Sequence, residues 1–211
     1  MPHSPLVNKR QLLQRLEKLY PNPRSELNFE SPYQLLVAVL LSAQCTDKKV
    51  NEVTPLFFKS FPSFQALSRG ALPKIETILR PINYYRTKSK NLLALSKMIG
   101  SEFSGEVPKS MEELISLPGI GRKTANVILG ELGAAKTFPV DTHVLRVSHR
   151  LGLSGGEDPV SVEEELMREF QSKHWRNLHH WLILHGRRVC KATRPQCPDC
   201  VLADMCPSVI R

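Results

Sequence analysis

Ser110-Met-Glu-Glu-Leu-Ile-Ser-Leu-Pro-Gly-Ile-Gly-Arg-Lys-Thr-Ala125 is the stretch from which the architecture can be read. Ser110 followed three residues later by Glu113 is a capping-box pattern, in which each side chain can satisfy a free amide at a helix start. The helix so begun ends near Ser116, and a second begins near Arg122. Between them Pro118-Gly-Ile-Gly121 makes a tight hairpin, because Gly119 and Gly121 can take φ > 0 without a Cβ penalty. The exposed amides at the start of the second helix, helped by its dipole, then form an anion site. Against a nucleic-acid duplex such a site grips one phosphate and reads no sequence. A plain helix-turn-helix corner is the alternative reading of the same residues.

Working outward, nearly every segment reads as helix. Val7–Tyr20 carries Leu12, Leu13, Leu16 and Leu19 at helical spacing and stops before Pro21. Ser31-Pro32 reads as an N-cap followed by proline at the first helical position, leading into the apolar run Leu35–Leu41. Ser161-Val-Glu-Glu164 repeats the capping pattern, and Gly133 and Gly152 stand where helices should end. There is no alternating strand pair, tandem repeat or low-complexity stretch, so the expected fold class is all-α. Pro21–Pro23 and Ala134–Val140 are candidate domain crossings, with the C-terminal half forming a second lobe onto which the N-terminal helix packs back.

The 211 residues suffice for one large domain or two small ones with real cores. A hydrophobic content of 41% and a charged content of 23% are those of an ordinary globular chain. No segment approaches the roughly 18–20 apolar residues that span a bilayer. Met1-Pro2-His3-Ser4-Pro5 has no apolar signal-peptide core. Together these predict an intracellular protein with no membrane partner, whose thiols stay reduced and available to metal. The formal net charge of +9 favours a polyanionic partner, nucleic acid first, against the alternative of solvated surface lysines. Lysine and arginine cluster at Arg80–Lys97 and at Arg187–Arg194.

Three groups of residues carry chemistry. Lys123 lies in the first turn of the second hairpin helix, where the positive helix end and Arg122 disfavour a further positive charge, which makes its amine a nucleophile toward a sugar carbon. A phosphate-contacting lysine is the other reading of that position. Asp141, in Pro139-Val-Asp-Thr-His143, precedes the amphipathic helix Val144–Leu151; it is an N-cap by type, and a capping carboxylate held rigid can also stabilise an oxocarbenium-like sugar or move a proton. Cys190, Cys197, Cys200 and Cys206 are separated by six, two and five residues. One tight C-x-x-C with two looser arms can supply the four thiolates of a [4Fe–4S] cluster. Structural zinc is the rival, although zinc sites usually show two short knuckles and only Cys197–Cys200 is one.

In their order these segments resemble the endonuclease III family of DNA glycosylases over nearly the whole chain. The resemblance rests on Leu40-Leu-Ser-Ala-Gln-Cys-Thr-Asp47, the hairpin Leu117–Ala125, Val140-Asp-Thr-His143, His179-His-Trp-Leu-Ile-Leu-His-Gly-Arg187 and the four cysteines. It implies a helix-hairpin-helix, iron–sulfur enzyme of base excision repair, acting on double-stranded DNA that holds oxidised pyrimidines or abasic sites; a monomer is the default expectation. It implies two helical lobes enclosing a cleft: residues 22–133 with the hairpin, and residues 1–21 plus 134–211 with the cluster. Lys123 falls on the family's Schiff-base lysine, Asp141 on its catalytic aspartate, and the four cysteines on its cluster ligands, which sets zinc aside. Gln44 matches a residue that enters the duplex where the damaged base leaves, and His143 one that lines the lesion pocket. Gly119, Gly121 and Arg122 belong to the phosphate-gripping hairpin, and Arg187 and Lys191, with Arg188 and Arg194, are basic residues beside the cluster loop that face the DNA backbone.

In Pro81-Ile-Asn-Tyr-Tyr-Arg-Thr-Lys88 the chain departs from the family, which usually has glycine where Asn83 stands. Asparagine tolerates left-handed geometry, so the turn can survive. Tyr84 aligns with a residue that wedges into DNA, commonly an aliphatic one; a tyrosine can stack on a base instead, or be partly buried while a neighbour does the wedging. Cys45 reads as a small buried thiol. His174, His179, His180 and His185 read as packing and hydrogen-bonding residues rather than a metal site, and Trp175 and Trp181 as core.

Overall fold

A computed structural model describes residues 7–210. The start of the chain, Met1 to Pro5, on which the expectation about a signal peptide rests, lies outside the described residues. Among those described there are eleven α-helices, one 3-10 turn (Ala203–Met205) and no strand. In chain order they are α1 (Lys9–Leu19), α2 (Pro32–Ser42), α3 (Asp47–Ser60), α4 (Phe64–Ser68), α5 (Leu72–Leu79), α6 (Tyr85–Glu102), α7 (Met111–Ser116), α8 (Arg122–Leu132), α9 (Thr142–Arg150), α10 (Pro159–Glu169) and α11 (Ser172–Arg188). The expected all-α class is what forms. The chain divides into two compact units, one of Ser25–Ala135 and the other of residues up to Arg24 together with those from Lys136 onward. None of the described helices is long and apolar enough to cross a membrane.

The continuous unit is built around α2. Ser31 caps it by accepting from the Gln34 amide, Pro32 opens its first turn, and Leu35 to Leu41 are all buried. A helix apolar on every side must be enclosed. Here α3, α6 and α8 pack around it, with α4 and α5 laid against α6 and α7 against α8. Thr54 of α3, Lys88, Ser89 and Ser96 of α6 and Asn126 of α8 are the buried polar residues described among this apolar packing.

The discontinuous unit packs α9 and α11 together, with α10 on α9 and α1 on α11. In α1, Leu12 and Leu16 are buried one turn apart, whereas Leu19 on the same apolar row is 39% exposed. Trp181 is buried and its indole N–H donates to the Tyr20 carbonyl at 2.9 Å, fixing the end of α1 on α11. Gly186 permits the close approach of α11 to α9: a Cβ there would lie 3.1 Å from each of the Arg146 guanidinium, His143 Cβ and Val147 Cγ2.

Three local expectations are corrected. α10 starts at Pro159, earlier than Ser161, because Asp158 accepts from the Val160 and Ser161 amides and Pro159 opens the helix; Ser161 is the return partner of that capping box. At Ser110 only half of the box forms, since Glu113 accepts from the Ser110 hydroxyl and not from its amide. Of the two hairpin glycines only Gly119 has positive φ (+82°); Gly121 is extended at −100°.

Candidate functional site

The hairpin is set by α7, α8 and the side chain of Asn91. Gly119 sits in the left-handed region, and a Cβ there would lie 2.5 Å from Asn91 Nδ2 and 3.1 Å from Asn91 Cβ, so the position excludes a side chain twice over. Gly121 serves as the N-cap of α8 and offers no side chain to its first amides. A Cβ at Gly121 would meet nothing within 4 Å, so the space beside the helix start is open. Arg122 and Lys123 in the first turn are both exposed. The arrangement is an uncapped, accessible helix N-terminus of eleven residues with two cationic side chains, which suits an anion.

In the same unit two exposed residues, Gln44 after α2 and Tyr84 before α6, adopt left-handed backbone geometry at φ +54° and +57°. By propensity Asn83 is the residue expected in that role. Instead Tyr84 takes it, 65% exposed, while the Asn83 side chain donates to the Gln44 carbonyl at 2.7 Å. Cys45 is half-buried rather than buried, packed against the core of this unit. Lys88, missed in the sequence, is 6% exposed and its Nζ donates to the carbonyls of Leu41 (2.9 Å) and Ala43 (2.6 Å) at the C-terminal end of α2. Burial pushes its pKa down, which the nearby Cys45 partly counters. The signal was its place on the buried row of α6, followed by Leu92, Leu95 and Ile99.

In the other unit Asp141 is the N-cap of α9, and its Oδ1 accepts from the amides of His143 and Val144, each at 2.8 Å. The carboxylate is half-buried and fixed by its cap, with no bond described to Oδ2. Burial pushes the His143 pKa down, opposed by Asp141 and aided by Arg146 and Arg187, so its imidazole is neutral near pH 7. Arg146, also missed, donates to the carbonyls of Gly186 (2.9 Å) and Cys190 (3.2 Å) and lies 3.1 Å from His143 Nδ1. It ties α9 to the end of α11, where the cysteine loop begins.

All four of Cys190, Cys197, Cys200 and Cys206 line one cavity, closed by Arg150, Leu151, His185, Val189 and Val209 among others. Arg150 donates to Cys190 Sγ at 3.5 Å and to the carbonyls of Lys191 (2.7 Å) and Ala192 (3.0 Å). The Leu202 amide donates to Cys200 Sγ at 3.4 Å, and His185 Nε2 lies 3.5 Å from the same sulfur. Burial pushes the Cys200 and Cys206 thiols up, and the neighbouring cysteines act in the same direction. Four thiols, an arginine and a backbone amide aimed at one cavity form a donor set suited to a thiolate-bound metal centre. Yet among the described residues no three His, Cys, Asp or Glu stand close enough to share a single metal ion. Arg146 and Arg150 lie one turn apart on α9, and that spacing was the available sign that one face of α9 serves the cysteine loop.

The other residues singled out in the sequence sort by burial. His179, His180 and His185 are buried, His179 Nδ1 lies 2.8 Å from the Pro139 carbonyl, and Trp175 Nε1 donates to the Phe170 carbonyl at 2.7 Å. Arg187 is half-buried and Lys191 and Arg194 are exposed. Arg188 is exposed too, but it stacks over Tyr20 at 5.6 Å, which gives it a packing role.

Residues 37–172 match the family described as HhH-GPD superfamily base excision DNA repair protein. Endonuclease III of Synechocystis sp. is 46% identical over 199 residues, spanning 94% of this chain and 91% of its own. A solved non-covalent complex of endonuclease III with DNA has a TM-score of 0.90 at 40% identity, covering 95% of this chain and 94% of that one. A trapped covalent endonuclease III–DNA intermediate, an estranged-adenine complex, also has a TM-score of 0.90 at 40% identity, covering 96% and 97%. Identity and coverage of this extent, over two helical units that each carry their expected motifs, make the chain a member of the endonuclease III family, within the HhH-GPD superfamily of base excision DNA repair proteins.

Proposed function

We propose that this protein is a bifunctional DNA glycosylase and abasic-site lyase of base excision repair, acting as an intracellular monomer on oxidised pyrimidines in double-stranded DNA. The observation that carries the reading is Lys123: an exposed primary amine in the first turn of an uncapped helix, behind a glycine hairpin open to an anion. A relative that is 40% identical over 96% of this chain has been trapped as a covalent DNA intermediate, and a covalent intermediate requires such a nucleophile.

The hairpin holds one phosphate through the amides after Gly119 and Gly121, with Arg122 adding charge, and this sets the register of the strand without reading bases. Gln44 and Tyr84 enter the duplex as the damaged base leaves the stack, which costs least where oxidation has already weakened stacking. His143, neutral near pH 7, lines the pocket that takes the base. The Lys123 amine attacks sugar C1′ through its nitrogen lone pair; the C1′–N bond breaks and its electron pair leaves with the base, which takes up a proton. The fixed Asp141 carboxylate stabilises the positive charge that develops on the sugar. Loss of an amine proton lets the nitrogen lone pair open the sugar ring; the C1′–O4′ bond breaks, O4′ takes up a proton, and an iminium links Lys123 to C1′. That iminium acidifies the C2′ proton; its removal forms a C2′–C3′ double bond and expels the 3′ phosphate by β-elimination. Water then hydrolyses the imine and frees the lysine.

Cys190, Cys197, Cys200 and Cys206, which line one cavity, would hold a [4Fe–4S] cluster. The cysteine spacing, one C-x-x-C with two longer arms, supports this occupant over zinc, whose sites usually show two short knuckles. Bound there, the cluster would tie down the C-terminal loop, with Arg187, Lys191 and Arg194 presenting charge to the DNA backbone.

Incubation with abasic-site DNA and borohydride tests the reading. A covalent adduct forms with the native chain and is lost in Lys123→Ala; absence of any adduct from the native chain would sink the lyase assignment.

A further inference from the structure

Asn83 and Lys88 make bonds for which the chemistry above has no use. Asn83 reaches across the chain to the Gln44 carbonyl at 2.7 Å. Lys88, just over one turn into α6, is buried and holds the carbonyls of Leu41 and Ala43 at 2.9 and 2.6 Å. Three carbonyls of the stretch Leu41–Gln44 are therefore gripped by two side chains of the stretch Asn83–Lys88. At the two ends of this clasp stand Gln44 and Tyr84, two of the four exposed non-glycine residues with positive φ among those described, at +54° and +57°. Such geometry persists only where the surroundings over-determine it. Ile82, 2% exposed, anchors the same turn in the core, so the clasp is mounted on a fixed base.

We infer that Asn83 and Lys88 are positioning residues that lock Gln44 and Tyr84 into one pre-formed, two-pronged wedge for the duplex. The inference rests on the proposed entry of those two side chains into DNA. Its physical content is preorganisation: the two loops are ordered when the protein folds, and binding then loses less freedom. It also accounts for the departure at residue 83. A glycine there would supply the left-handed residue itself but no donor; asparagine supplies the donor and leaves the left-handed geometry to Tyr84, whose ring is thereby set outward. The wedge of this chain is accordingly an aromatic face fixed relative to a carboxamide, suited to stacking on a base.

The test compares two reactions of the intact protein: single-turnover excision of thymine glycol from a duplex, and borohydride trapping on a single-stranded oligonucleotide with a preformed abasic site. Only the first needs a wedge. Asn83→Ala and Asn83→Asp, at an exposed position, should fold normally and slow excision about tenfold, the scale of one lost hydrogen bond, while trapping is unchanged. In a Gln44→Ala/Tyr84→Ala background, already slow, Asn83→Ala should cost nothing more, because nothing is left to position. Undiminished excision by both Asn83 variants, an equal loss of excision and trapping, or full additivity in that background would overturn the clasp. Native excision by Gln44→Ala/Tyr84→Ala would instead overturn the wedge reading on which it stands.

Discussion

The hairpin glycines differ in what they are needed for, and replacing each by alanine separates the two needs. Gly119 has φ +82°, where a Cβ costs about 1–2 kcal/mol. That Cβ would also lie 2.5 Å from Asn91 Nδ2 and 3.1 Å from Asn91 Cβ, so the whole side chain must swing away, which adds an overpacking cost of about 1–3 kcal/mol. Asn91 is half-buried and can yield, so the lower part of that range applies. Gly119→Ala should therefore lose about 2–4 kcal/mol, or roughly 5–15 °C in Tm for a chain of this size. Gly121→Ala meets no atom within 4 Å at an ordinary φ of −100°. Its weaker N-cap, at up to about 1 kcal/mol, is offset by the 0.4–1 kcal/mol or so gained from a stiffer unfolded chain. Its Tm should stay near the native value. The new methyl group, however, occupies the open space from which a phosphate would approach the amides, and losing one charge-assisted hydrogen bond weakens binding by about ten- to a hundredfold. Thermal unfolding, with equilibrium binding to a duplex holding an uncleavable tetrahydrofuran abasic analogue, reads both effects. Equal Tm losses in the two variants, or undiminished binding by Gly121→Ala, would refute the assignment of Gly121 to a phosphate.

Asp141→Asn should keep the α9 cap and Tm yet lower excision by about 10²–10⁴, whereas Asp141→Ala should also lose about 1 kcal/mol of stability; an active Asp141→Asn would reduce the residue to a cap. Iron and acid-labile sulfide, with no zinc, are expected on elemental analysis of protein purified without oxygen, and the reverse composition would remove the cluster. Replacing Lys191 and Arg194 together should weaken binding to every duplex and lower the slope of log affinity against log salt by about 2, read by titration at several salt concentrations; an unchanged slope would free the cysteine loop from DNA. His143 should titrate below the ordinary histidine value in NMR. The stability carried by its neutral form is full above that value and is lost as pH falls through the shifted one, a dependence that His143→Gln should flatten.

The helices were legible because their signals are local. The Ser31-Pro32 cap and the φ of +64° at Gly133 follow from residues a few positions apart. So was the placing of Lys123 in a first helical turn and of Asp141 at a cap. What failed were details decided at longer range. Asparagine has the better propensity for left-handed geometry, but at position 83 its side chain is drawn to a carbonyl 39 residues away and the strain moves to Tyr84. Arg146 and Arg150 read in the sequence as the polar face of an amphipathic helix; only the folded chain brings the carbonyls of Gly186, Cys190, Lys191 and Ala192 around them. The serine signal at 161 competes with a better one: Asp158-Pro159 outranks it as a helix start because a carboxylate cap and a proline act together.

The cysteine-bearing unit is assembled from segments far apart in the chain: α1 lies on α11, and Arg15 reaches from α1 to the Val201 carbonyl at 2.7 Å and to the Asp204 carboxylate. During synthesis the intervening Ser25–Ala135 unit is complete while Cys206 has yet to be added. The ribosome thus delivers the hairpin and its lysine first, and the cysteine-bearing unit can close only once Asp204 and Cys206 have emerged. A chain cut short before that point carries the Lys123 amine without a finished unit around Asp141.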